Sequence, residues 1–93
     1  MRLPVRFHPY ALLELKDGAA FYGERFVTQA DDALSLIAEM PRTWPLWPGR
    51  PDLHRRVLTK VPYAIVYTVG RGSVFVVAVE HTKRRPGYWL TRL

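Results

Sequence analysis

Ser73-Val74-Phe75-Val76-Val77-Ala78-Val79-Glu80 is the stretch on which the fold turns. A half-buried strand alternates apolar with polar residues, and this run does not. Six apolar residues in a row, between polar ends, read as a central strand covered on both faces. Everything else is placed around it. Just upstream, Gly70-Arg71-Gly72 is a hairpin turn, and it joins the central strand to Tyr63–Val69. A further strand, Leu53–Thr59, precedes that one. Near the N-terminus, Leu3, Val5 and Phe7 alternate with Pro4, Arg6 and His8, the period of a short strand. Pro4 suits an edge or a strand start. The unbroken strand at 73–80 is its natural neighbour.

Between the first strand and the last three the period changes. His8-Pro9 ends the strand, because a residue before proline avoids the helical region, and Pro9 suits the first turn of a helix. Leu12, Leu15, Ala19, Tyr22 and Phe26 recur at helical spacing and form one apolar face. Gly18 and Gly23 weaken that helix, each by about 1 kcal/mol relative to alanine. Small residues at Gly18, Ala19 and Ala20 admit a close neighbour. Thr28 is the expected N-cap of a second helix, with Asp31 and Asp32 in its first turn. Ala30, Ala33, Leu34, Ile37 and Ala38 form its buried face, and Pro41 stops it. Such a short connection predicts an antiparallel helical hairpin. Residues 41–51 hold four prolines among Trp44, Trp47 and Gly49, a stiff connection rather than a flexible linker. After the last strand, Pro86-Gly87 turns the chain and Tyr88-Trp89-Leu90 closes it. The expected fold is α+β, in the order β-α-α-β-β-β: an N-terminal strand, then an antiparallel helical hairpin packed on one face of a mainly antiparallel twisted sheet. Residues 1–93 are expected to form one domain, with basic residues on the uncovered face of the sheet.

Composition narrows the function. The 93 residues are 48% apolar and 24% charged, a globular and not a disordered balance. Absence of cysteine excludes disulfides, thiolate catalysis and cysteine-type zinc sites. No run approaches the roughly 20 apolar residues that span a bilayer. Met1–Arg6 lacks the apolar stretch of a signal peptide, so the cytoplasm is the expected compartment. The net charge is +6, and eleven of the fourteen basic residues are arginine. Residues 1–40 hold four basic and six acidic residues, a net of −2. Residues 41–93 hold ten basic residues against Asp52 and Glu80, a net of +8. A half so basic points to an anionic partner, either nucleic acid or an acidic protein segment.

Candidate sites lie in that half. Arg55 and Arg56, adjacent in one strand, point to opposite faces; one belongs on the open face near Lys60 or Arg71. They read as a phosphate clamp or as a solvated strand face. His81-Thr82-Lys83-Arg84-Arg85-Pro86-Gly87-Tyr88-Trp89 gathers a histidine, three cations and two aromatics in nine residues. A histidine or tyrosine there could move protons at a ribose 2′-hydroxyl while arginines stabilise the phosphorane; the plainer alternative is a basic tail pinned by its aromatics. His8, His54 and His81 match no metal-ligand spacing, and neither metal nor cofactor is expected. Glu80 is placed to orient His81 or to pair with an arginine. Trp44 and Trp47 either stack bases or act as core and interface aromatics.

Four segments, in order and over nearly the whole chain, carry a family likeness. They are Phe7-His8-Pro9-Tyr10-Ala11-Leu12-Leu13-Glu14-Leu15, Ala19-Ala20-Phe21-Tyr22-Gly23-Glu24, Pro62-Tyr63-Ala64-Ile65-Val66-Tyr67, and Val77-Ala78-Val79-Glu80-His81 followed by Arg84 or Arg85, then Pro86, Tyr88 and Trp89. Together they resemble the RelE/ParE superfamily of toxins from bacterial type II toxin–antitoxin systems, also called plasmid stabilisation proteins. The resemblance implies a growth-inhibiting toxin neutralised by an acidic antitoxin. RelE-like members cleave mRNA at the ribosome without a metal, whereas ParE-like members poison DNA gyrase. The closing His-to-Trp motif is nearer the ParE-like branch, which makes gyrase the expected target. The alternatives are a ribosome-dependent mRNA endoribonuclease and a non-toxic nucleic-acid-binding module. For the ribonuclease, the resemblance implies His81, Arg85 and Tyr88 as catalytic residues. It also matches Arg55, Arg56 and Lys60; these, with Arg71, Lys83 and Arg84, are expected to bind nucleic acid or the target, and Trp44, Trp47, Arg50 and Trp89 are expected to meet the antitoxin.

Overall fold

The structure is a computed structural model and describes residues 2–93. Strand β1 (Val5–Phe7) is followed by helices α1 (Pro9–Tyr22) and α2 (Glu24–Glu39), strands β2 (Leu53–Val57), β3 (Tyr63–Gly70) and β4 (Ser73–His81), and a final 3-10 turn at Leu90–Arg92. The sheet order is β1-β4-β3-β2. β1 runs parallel to β4, and the other two pairings are antiparallel, so the expected α+β architecture holds with β4 inside the sheet.

The helix boundary falls earlier than the sequence pattern placed it. α1 ends at Gly23, not near Thr28, because Gly23 takes φ 68°, a left-handed conformation that glycine enters without a steric penalty. Its carbonyl then accepts from Phe26 and Val27, which starts α2 at once and leaves Thr28 inside a helix. At the other end of α1, His8 is the cap: Nδ1 accepts the Tyr10 amide at 3.1 Å, and Pro9 follows as the first helical residue. The buried stripe of α1 also differs from expectation. Ala11 and Gly18 are its buried positions and Leu12 is exposed, while Phe26 belongs to α2 and is fully buried. Glu14 lies on the same stripe, one turn from each of them.

A bulge in β4 decides which residues meet which face. Tyr67 pairs with Val76 and Val66 with Ala78, which leaves Val77 as the extra residue. Before the bulge Val74 and Val76 face the helices; after it Val79 does. Val77 and Ala78 join a second cluster on the opposite face with Leu53, Val66 and Trp89, packed by Trp47, Phe75 and Tyr88. The bulge thus turns Glu80 away from the helices and His81 towards them. It also explains why the run is apolar throughout: both faces are covered. The expected bare basic face does not exist, because the closing Tyr88–Trp89 segment and Trp47 fill it.

The proline-rich connection lies along the outer edge of β2. Arg55 donates its amide to Pro45 at 2.9 Å, Trp47 donates to Leu53 at 2.8 Å, and the Tyr67 hydroxyl reaches the Pro41 carbonyl at 2.6 Å.

Candidate functional site

Two carboxylates organise the far end of the sheet. Glu80, almost fully buried, accepts from Arg55 (Nε and Nη2, both 3.0 Å) and from the Trp89 indole at 2.7 Å. Of the two roles expected for Glu80, pairing with an arginine is therefore the one observed. Trp89 is wholly buried and meets Trp47 edge-to-face at 4.9 Å. It packs the second core cluster and offers no surface to a partner in this conformation.

Glu14 is the other carboxylate; three residues donate to it and a second arginine forms a looser ion pair. The Tyr88 hydroxyl lies at 2.5 Å, the Val79 amide at 3.0 Å, Arg92 donates twice at 2.8 and 3.0 Å, and Arg84 stands at 3.5 Å. Burial alone would push the Glu14 carboxyl up, but the bonds from Arg92, Tyr88 and Val79 outweigh it and hold the carboxyl below its ordinary value. The Tyr88 phenol moves the other way: burial, then the adjoining Glu14 charge, push it well above its ordinary value. Neither Glu14 nor Arg92 stood out in the sequence as a site residue. Glu14 is a charge on the α1 stripe that holds Ala11 and Gly18; choosing that stripe instead of the leucines would have exposed it.

Beside this cluster is a cleft of about 120 Å³ lined by Glu14, Asp17, Tyr63, Val79, His81, Arg84 and Tyr88. His81 Nδ1 accepts the Lys83 amide at 3.2 Å, which leaves Nε2 protonated towards the Tyr22 hydroxyl at 3.5 Å in the neutral ring. Arg84 stacks over Tyr88 with its guanidinium carbon 3.7 Å from the ring centroid. His81 and Tyr88 thus share a cleft with Arg84, whereas Arg85, the third residue of the expected set, is exposed and lines none of it.

The six expected target-binding residues do not form one patch. Arg55 is held by Glu80. Arg56 lies on the opposite face against Trp44, 4.3 Å from its ring, and its buried Nε lacks a hydrogen-bond partner. Lys60 sits at the β2–β3 turn, its amide bonded to Gln29. Arg71 is at the tip of the β3–β4 hairpin, roughly 25 Å away by the length of β3. Lys83 and Arg84 sit together in the exposed turn after β4. Across from that turn, Arg55, Glu80, Trp47 and the exposed Leu46 and Val57 line a groove of about 410 Å³ that reaches Arg84. Arg50 is engaged in a two-point pair with Asp52 at 3.1–3.2 Å.

The histidines are dispersed. His8 caps α1, and His54 stacks on Tyr67 at 5.1 Å and donates Nδ1–H to the Trp44 carbonyl at 2.8 Å. No three His, Asp or Glu side chains group as metal ligands among the described residues. No helix among them is long and apolar enough to cross a membrane.

Solved structures with this fold include E. coli toxin RelE, free (26% identity over 96% of this chain and 94% of that one, TM-score 0.74). A RelE mutant in complex with a RelB antitoxin peptide is also similar (26% identity, 98% and 95% coverage, TM-score 0.75). The chromosomal ParDE system of P. aeruginosa shares the fold at 10% identity, over 88% of this chain and 98% of that one, with TM-score 0.62. Among curated proteins no relative matches. The family model for the ParE toxin of the type II toxin–antitoxin system parDE matches residues 5–86. The chain therefore belongs to the ParE toxin family of type II toxin–antitoxin systems.

Proposed function

We propose that this toxin stops growth by binding DNA gyrase in the cytoplasm, and that a cognate antitoxin silences it by laying an acidic segment over the basic half. The observation that carries this reading is the state of Tyr88. Its hydroxyl already donates to Glu14, and Glu14 is already neutralised by Arg92. A phenol so engaged, and harder to ionise than an ordinary one, is a poor proton shuttle. With Arg85 outside the cleft, the group reads as a rigid contact surface and not as an acid–base pair. The turn carrying Lys83, Arg84 and Arg85, with the adjoining groove, supplies the cations for that surface. Membership of the ParE family supports the gyrase target.

A second reading, metal-independent mRNA cleavage at the ribosome, draws on a different observation. The RelE structures are similar over nearly the full chain at 26% identity, and His81, Arg84 and Tyr88 do share one cleft. Inducing the protein in bacteria without its antitoxin separates the two. Gyrase binding gives early loss of supercoiling and DNA damage, reversed by co-expressing the neighbouring acidic protein. Immediate translation arrest with cuts in ribosome-bound mRNA, and intact supercoiling, would replace the first reading with the second. No growth defect at all would leave a plain nucleic-acid-binding module.

A further inference from the structure

Glu14 does more than an ion pair requires. Arg92 makes two short bonds to it and suffices to neutralise it, yet the same carboxylate also takes the Tyr88 hydroxyl and reaches the exposed Arg84. Ion pairs to exposed arginines add little to stability. Restraining Arg84 therefore matters for what Arg84 presents. Arg84 is held from two sides: its guanidinium carbon sits over the Tyr88 ring, and its Nη1 lies 3.5 Å from the carboxylate that bonds that ring's hydroxyl. The Val79 amide bond ties Glu14, and with it α1, to the strand that ends at His81.

We propose that Glu14 is a positioning residue, which holds Arg84 and Tyr88 as one stacked unit facing the target. The proposal rests on the reading above that the turn after β4 meets the target, whichever macromolecule that is. Losing the negative charge removes the Arg84 ion pair and weakens the bond to the Tyr88 hydroxyl, so Arg84 samples its rotamers and the contact surface is ordered only at the moment of binding, at an entropic cost.

Glu14→Gln keeps the shape and removes the charge, but it leaves the largely buried Arg92 unpaired. The Glu14→Gln/Arg92→Gln variant removes both charges and keeps the test independent of folding. That variant should melt near the wild-type temperature yet lose about tenfold in growth-inhibiting potency, as expected when a contact surface must be ordered on binding. In an Arg84→Ala background, the Glu14→Gln/Arg92→Gln pair should bring a clearly smaller loss than in the wild type, because one of the two residues that Glu14 positions is gone. A readout free of toxicity is the Arg84 Nε–H resonance of the purified protein: distinct in the wild type, averaged to a mobile-arginine position in both Gln variants. Potency that returns with stability, losses that add in the Arg84→Ala background, or an unchanged Arg84 resonance would each overturn the proposal. Growth inhibition without any effect on gyrase would remove the gyrase reading and leave the Glu14 result standing.

Discussion

Gly18→Ala sets a favourable local effect against an unfavourable packing one, and the structure says which wins. In an exposed helix the change stabilises by about 1 kcal/mol, since alanine is the better helix former. Here the new methyl carbon would stand 2.5, 2.6 and 2.9 Å from three atoms of the Phe26 ring. Carbon atoms in good contact lie roughly 3.5–4 Å apart, so the overlap is about 1 Å. Phe26 is fully buried, and its ring is also held edge-to-face by Tyr63 at 4.9 Å. Overpacking of this kind costs about 1–3 kcal/mol, and the helix gain offsets only part of it. The expected result is a net loss of up to about 2 kcal/mol, a fall of up to roughly 15 °C in melting temperature for a domain this small. Urea unfolding followed by helix circular dichroism measures it. Adding Phe26→Leu removes the ring atoms at fault, so the double variant should be more stable than the two single losses predict. A Gly18→Ala variant more stable than the wild type would refute the packing argument and leave helix propensity in control.

Three further outcomes follow from the buried polar groups. Glu80→Gln should cost about 1–2 kcal/mol in urea unfolding, less than a fully buried pair because Arg55 is partly exposed; no loss would mean the Arg55–Glu80–Trp89 link is not holding the second core cluster. The Glu14 carboxyl lies below its ordinary value of 4.5 in the fold, so it contributes stability above that pH and loses it as pH falls lower. Wild type should accordingly show an acid-side decline below pH 4.5 that flattens in Glu14→Gln, and equal slopes would contradict the geometry. Burial pushes the Tyr67 phenol up to about 12, so its contribution is complete below pH 10 and disappears as pH rises from 10 through about 12. Tyr67→Phe should lose about 1 kcal/mol at neutral pH with the Pro41 bond, and show a shallower alkaline decline.

The architecture was legible because it rests on period and run length. The unbroken 74–79 run put β4 inside the sheet, and Val5 and Phe7 found their partner there, while Leu3, expected in the same strand, lies before it and bonds Ala38 of α2 instead. The α2 stripe of Ala30, Ala33, Ile37 and Ala38 is buried as its spacing requires. The α1 boundary is hidden in the sequence because leucines outweigh glycines in its pattern. Gly23 is where the chain needs a positive φ, and Gly18 is where Phe26 needs room; both depend on what the residue lacks. The site was less legible than the fold. His81, Arg84 and Tyr88 are close in sequence and meet in space, but their organiser, Glu14, is more than sixty residues away on α1. The bulge at Val77 has no local marker in an all-apolar run, and it decides that Glu80 and His81 face opposite sides. Charge counting gave the basic half correctly but not its pairing: Arg50 and Arg55 are already engaged by its only two acids.

Under the function proposed above, this cationic surface captures gyrase and does not cut RNA. The most direct measurement adds the purified protein to DNA gyrase with relaxed plasmid and ATP, and in parallel to ribosomes programmed with a defined mRNA. Gyrase capture requires that supercoiling stop, with cleaved plasmid accumulating, while the mRNA stays whole. Undisturbed supercoiling together with mRNA cut at the ribosomal A site would contradict it.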